Sequence, residues 1–197
     1  MSAIGGYLSI TNLTQNGYSF DDTILIDRAS KGDGDAFGVL YVRYLDPIYR
    51  YVYFRVGDSA DAEDITEQVF LKAWEALPNY QQRGFALKSW LYRIANNMVI
   101  DHHRKRKAQS LSELPEEGVP HATHAPLADQ MIQAETISSL ADAIGRLPDE
   151  QQQVIILRFI EGLRHSEVAD VMGKSEGACR ALQYRALAVL SQQLVAK

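Results

Sequence analysis

Apolar residues recur at three- and four-residue steps along most of this chain, while the strict alternation of a half-buried strand is nearly absent. The pattern predicts an all-α protein. Residues 21–30 make a short helix that Asp21 or Asp22 can cap, with Ile24 and Leu25 as apolar positions. After the turn Lys31-Gly32-Asp33-Gly34-Asp35, a longer helix carries Phe37, Leu40, Tyr41, Tyr44, Ile48, Val52 and Val56. Pro47 lies inside that run and predicts a kink, or a restart with Asp46 as cap. The helix predicted over residues 60–77 turns Ala62, Ile65, Val69, Ala73 and Leu77 inward, leaving Asp61, Glu63, Asp64, Glu67, Gln68 and Glu75 outside. Acid in a first turn suits the helix dipole; an acidic face this long also suits docking on a basic protein surface.

Residues 85–107, FALKSWLYRIANNMVIDHHRKRK, organise the rest. Trp90, Leu91, Ile94, Ala95, Met98 and Val99 form one apolar stripe. Arg93, Asn97 and Arg104 form another stripe, with Tyr92, Asn96 and His103 beside it on the expected outer face. Cations hold phosphates, amides read base edges and aromatics stack on exposed bases, so this face and the terminal basic block suit nucleic acid.

Beyond Lys107 the period disappears. Residues 110–126 are rich in proline and glutamate, and residues 108–133 are expected to be a flexible linker. Fully extended, it would reach roughly 85–90 Å. A second helical unit follows. Residues 127–146 are amphipathic, Leu147-Pro148 stops them, and residues 151–161 are apolar on most sides. Two further helices, residues 164–172 and from Glu176, flank a turn at Gly173-Lys174 with Ser175 as cap. This is helix-turn-helix geometry. Ala169 allows close approach, Gly173 supplies positive φ, and Cys179 and Leu182 pack inward. Arg180, Tyr184 and Arg185 project from one side with Gln183 beside them; Arg and Gln are residue types that read G and A edges in the major groove.

The formal net charge is −5, so any contact with DNA must be local and not a matter of bulk charge. A single cysteine excludes an internal disulfide and fits a reducing cytoplasm. No apolar run suits membrane insertion, and no nucleophile–base pair or phosphate loop suggests an enzyme. The spacing of His121 and His124 lacks a third ligand, so neither metal nor cofactor is expected.

Two motif sets, in this order, resemble the bacterial sigma-70 family. DAEDITEQVFLKAW at residues 61–74, followed by WLYRIANN at 90–97, is similar to the family's second region. Leu147-Pro148, residues 154–159 and GLRHSEVADVMGKSEGACRAL at 162–182 are similar to its fourth. The layout resembles the extracytoplasmic-function (ECF) subfamily. The resemblance implies two small helical domains, residues 21–107 and 134–197, joined by the linker and preceded by a tail at 1–20. It implies core RNA polymerase, promoter DNA and an anti-sigma protein as partners, and no catalysis by the chain itself. Asp61, Asp64, Glu67 and Gln68 would dock on polymerase. Phe85, Lys88, Trp90, Arg93, Asn96 and Asn97 would engage the −10 element, Asn97 lining a pocket for an extruded base. Arg104, Lys105, Arg106 and Lys107 would hold the duplex backbone. Lys174, Ser175, Arg180, Gln183, Tyr184 and Arg185 would meet the −35 element, roughly 70 Å away.

The chain departs from the family pattern in several places. Arg164 stands where Ser or Thr usually caps the first helix of the motif, which leaves Ser166 as a substitute one turn later. Glu67-Gln68 replaces a Gln-acid order, and Ala178, Cys179 and Ala181 replace Thr, Val and Ser. The alternative reading is a stand-alone helix-turn-helix regulator that binds duplex DNA by itself.

Overall fold

The computed structural model describes residues 22–80, 86–110 and 128–195, all as helices and the turns between them. The N-terminal half holds α1 (Asp22–Ser30), α2 (Gly34–Val56), α3 (Ser59–Ala76) and α4 (Leu87–Ser110). The C-terminal half holds α5 (Ala128–Gly145), α6 (Asp149–Ile155), α7 (His165–Met172) and α8 (Glu176–Val195). The all-α expectation holds throughout the described residues. Among the described residues no helix is long and apolar enough to cross a membrane. The tail and His121 and His124 lie outside the described residues.

Local chemistry fixes most boundaries. Asp33 caps α2 by accepting the Ala36 N–H at 3.0 Å. Gly57, at φ 78°, ends the helix and returns its N–H to Tyr53. Asp58 then caps α3 by accepting the Asp61 N–H at 2.9 Å. Pro47 does not divide α2, and Asp46 caps nothing; the helix is continuous across it. A proline inside a helix costs about 3 kcal/mol. The buried positions Tyr44 and Ile48 on either side of Pro47, and the packing of α2 against α1, α3 and α4, offset that cost. The inward positions anticipated for α3 are all buried, with Leu77 in the 3₁₀ turn Leu77–Asn79 that follows.

The second half opens where the helix over residues 127–146 is expected, inside the stretch assigned to the linker. α4 runs past Lys107 and α5 starts at Ala128. The chain between them is residues 111–127, which spans about 56–61 Å if fully extended. Gln152 fastens the α5–α6 turn, its amide donating to the carbonyls of Gly145 at 3.0 Å and Leu147 at 2.7 Å. α6 widens into a π-helical turn, Ile156–Ile160, where the expected helix continued unbroken. Gly173, at φ 62°, turns the chain from α7 into α8. Ser175 accepts the Ala178 N–H at 3.2 Å, as its position anticipated. At the start of α7 the missing Ser or Thr is replaced from the other direction. The Glu167 carboxylate accepts the Arg164 N–H at 2.7 Å, so Ser166 is not needed as a cap.

Candidate nucleic-acid interface

The face of α4 has two unlike parts. At Asn97 it is open: Asn97 is exposed and lines a cavity of about 380 Å³ with Lys72, Glu75, Trp90, Ile94 and Met98. Trp90 is half-buried, its ring 4.7 Å from that of Tyr80. Phe85 lies outside the described residues. Further on, Arg104, Lys105, Arg106 and Lys107 form an exposed basic end. Arg104 reaches Asp101 at 3.0 Å and Arg106 approaches Asp61 at 4.0 Å, exposed pairs that leave the guanidinium groups easily redirected.

The other part of α4 is covered, which corrects the outer face expected from the periodicity. Tyr92 is fully buried, and its hydroxyl donates to the Glu161 carboxylate at 3.0 Å. Burial first, then that carboxylate, pushes the phenol far above its ordinary range. Arg93 donates through Nε to the Asp170 carbonyl at 3.0 Å, with a second bond from the same guanidinium to that oxygen. Asn96 is half-buried, its side-chain oxygen accepting from Tyr51 at 3.2 Å and from Arg55 at 3.1 Å. Lys88 is half-buried. Of the residues expected to meet the −10 element, Asn97 and the basic end lie open, while Arg93 and Asn96 are already engaged.

His103 sits beside this network, a ring nitrogen 3.2 Å from the Arg55 carbonyl. Burial, and then the nearby Arg55 charge, hold its pKa below the ordinary 6.5. The folded chain therefore binds fewer protons here than the unfolded chain. The stabilisation is complete above pH 6.5 and is lost as pH falls through the lowered folded-state value. The unfolding midpoint should drop between pH 7 and pH 5, and the drop should shrink in His103→Gln; calorimetry across that range checks this.

On α8, Arg180, Tyr184 and Arg185 are exposed, Tyr184 at 78%. Arg180 rests on Glu176 at 3.4 Å. Gln183 is half-buried, its side-chain oxygen 3.0 Å from a His165 ring nitrogen. Ser175 is exposed at the helix start, and Lys174 pairs with Glu150 at 2.8 Å. Cys179 is fully buried and its thiol pKa is raised by that burial, which makes it a packing residue.

On α3, Asp64, Glu67 and Gln68 are exposed, whereas Asp61 is half-buried and faces His102 at 3.4 Å. Glu67 borders an apolar groove of about 420 Å³ lined by Phe37, Tyr41, Phe70, Leu71 and Trp74. Leu71 is 58% exposed. Its place on the polar side of an otherwise acidic helix is a signal visible in the sequence that the helical period does not capture.

Residues 40–109 match the Sigma-70 region 2 family and residues 137–190 match Sigma-70, region 4. SigD of Mycobacterium tuberculosis, an ECF RNA polymerase sigma factor, is 31% identical over 192 residues, covering 94% of this chain and 88% of SigD. The chain belongs to the ECF sigma factors. BldN of Streptomyces coelicolor is 39% identical over 170 residues, which span 86% of this chain and 64% of BldN. SigW of Bacillus subtilis is 29% identical over 86% of this chain and 94% of its own length. Among solved structures, CnrH in complex with the cytosolic domain of CnrY matches with a TM-score of 0.69 and 27% identity, covering 89% of this chain and 98% of CnrH. RpoE of Bartonella quintana, solved with the anti-sigma factor NepR, shares the fold with a TM-score of 0.61 at 23% identity, covering 80% of this chain and 96% of that one. In family terms, α3 and α4 belong to region 2, and α7 and α8 form the helix-turn-helix of region 4.

Proposed function

We infer that this chain acts as a sigma factor: it joins core RNA polymerase in the cytoplasm, directs it to promoters, and is not a stand-alone regulator. The observation that carries this is the presence of two separate exposed faces bearing arginines and lysines, on α4 and α8, in one chain with net charge −5. A protein that seized duplex DNA alone would concentrate cations; here a large enzyme supplies much of the charge.

The acidic face of α3 with its neighbouring apolar groove is the polymerase-docking surface, and Asp64, Glu67 and Gln68 are its polar contacts. Apolar contact supplies affinity, and the acids set register against a basic partner. Asn97 receives an extruded base of the −10 element in its cavity, and Arg104, Lys105, Arg106 and Lys107 hold the duplex backbone. Arg180, Tyr184 and Arg185 read the −35 element from the major groove, with Lys174 and Ser175 at phosphates. An anti-sigma protein is a further partner, since the docking face is exposed and amphipathic. The chain's work is binding; the polymerase performs the chemistry.

Reconstituted transcription tests this. Core enzyme with this protein should start at discrete promoters in a template library, where core enzyme alone does not. Glu67→Lys should weaken polymerase binding at least about tenfold, because a like charge placed against a basic surface costs several kcal/mol. Tight palindromic binding by the free protein, with no effect on the polymerase start site, would favour the stand-alone regulator instead.

A further inference from the structure

α3 borders two grooves that share no lining residue. One is the apolar groove beside Glu67. The other is the cavity at Asn97, and its volume of about 380 Å³ falls within the range of small-ligand pockets, roughly 300–1,000 Å³. Trp90, Ile94 and Met98 of α4 give that cavity an apolar wall against which a flat ring can lie. Its charged wall comes from α3. Lys72 and Glu75 are helical neighbours at i and i+3, so one side of α3 presents both. Both are exposed. That spacing favours an ion pair between them, yet neither side chain has a hydrogen bond or ion pair among the described residues, and neither has the Asn97 amide. An ammonium, a carboxylate and an amide are thus left uncommitted around one cavity.

The three groups differ in what they can bond. A lysine ammonium only donates, an ionised carboxylate only accepts, and an amide does both. The Watson–Crick edges of the bases differ in the same way. Adenine, cytosine and guanine each present an exocyclic amine and, on the same edge, an acceptor. Thymine presents two carbonyl oxygens around a single ring N–H, and no amine. We propose that Glu75, with Lys72, selects the base that enters the Asn97 cavity: a base bearing an exocyclic amine is admitted and thymine is refused. This rests on the reading of that cavity as the seat of an extruded −10 base. Glu75 accepts from the amine, Lys72 donates to the acceptor on the same edge, and Asn97 takes the position that remains. The discrimination lies in the refusal. Thymine would set a carbonyl oxygen against the carboxylate and leave it without a donor, where the base itself has displaced water. α3 then serves polymerase on one flank and a promoter base on the other.

Holoenzyme assembled from core polymerase and the full chain is tested on templates randomised across the −10 element, and the transcripts are sequenced to count each base at each position. Asn97→Ala locates the position that matters, the one whose base preference flattens. There the wild-type chain should use thymine at least about tenfold less than the preferred amino base, the discrimination expected of one good pair of hydrogen bonds. Glu75→Gln keeps the shape and gains a donor, so it should bring thymine to within about threefold. Glu75→Lys replaces the acceptor by a second ammonium and should make thymine equal or better. Both variants also remove a negative charge, which strengthens contact with every template alike. The ratio between bases at one position cancels that gain. It also cancels any contact of Glu75 with polymerase, which would move all templates together. Circular dichroism confirms that each variant is folded, and should Glu75→Lys not fold, Glu75→Gln decides alone. A wild-type preference for thymine at that position, or a thymine ratio that Glu75→Gln leaves unchanged, overturns selection by Glu75 while the Asn97 cavity stands. If Asn97→Ala flattens no position, the cavity reading falls and the selection with it. If no template starts at a discrete site, the sigma reading itself falls.

Discussion

Replacing Arg180 and Arg185 together by alanine is expected to cut promoter-specific transcription by on the order of a hundredfold or more, because each guanidinium contact to a base edge contributes roughly 1–3 kcal/mol. The two side chains are well placed to lose nothing else. Both are exposed on α8. Among the described residues Arg180 is tied to exposed Glu176 at 3.4 Å, and Arg185 donates to the Ala181 carbonyl at 3.3 Å. Such surface ties are weak and exchange readily for a base or a phosphate. The residues that seat α8, Cys179, Leu182 and Ala186, are buried on the opposite side and are untouched. The double variant should therefore keep its unfolding midpoint and its affinity for core polymerase while losing upstream protection in a footprint. The single variants should multiply to the double, since two independent base contacts add in free energy. A double variant that still protects upstream DNA would remove α8 as the reader.

The helices themselves were legible because each is written locally. The three-to-four spacing of Ala62, Ile65, Val69 and Ala73 fixes the inner side of α3 whatever lies beyond it, and these positions are buried. Ser175 and Gly173 act within a few residues of themselves, so their roles could be anticipated. The covered side of α4 was not legible. Tyr92 looks like a polar-face aromatic until region 4 is brought against it, and its partner Glu161 is 69 residues away. Arg93 and its carbonyl partner are 77 residues apart. No periodicity within one helix can report a surface supplied from so far along the chain. At Pro47 a kink or a restart is expected, and the restart does not occur. Its local penalty predicts an interruption, and the packing of the whole of α2 overrides it. At the proposed docking face the acids are legible because charge is visible in a sequence. The groove beside them, made by Phe37 and Tyr41 of α2 with Phe70 and Trp74 of α3, needed two helices set side by side.

Ile156→Ala should be the most damaging single truncation for region 4. Ile156 is completely buried and opens the π-helical turn, where its carbonyl accepts the Glu161 N–H at 3.0 Å. Removing three carbons from such a site costs about 2–5 kcal/mol, against a typical total stability of about 5–15 kcal/mol for a domain. Ile156→Val, which loses one methyl group, should cost about 0.5–1.5 kcal/mol. Urea unfolding followed by circular dichroism reads both. The loss should fall on one half of the molecule. Val69 and Ala73 of α3 are buried against region 2 helices and lie far along the chain from Ile156. Polymerase binding through α3 should then survive in Ile156→Ala under conditions where the upstream footprint has already gone. A single cooperative transition in which both activities vanish together would mean that the halves stabilise each other across their seam. In that case the Glu161 contacts across the seam contribute to folding.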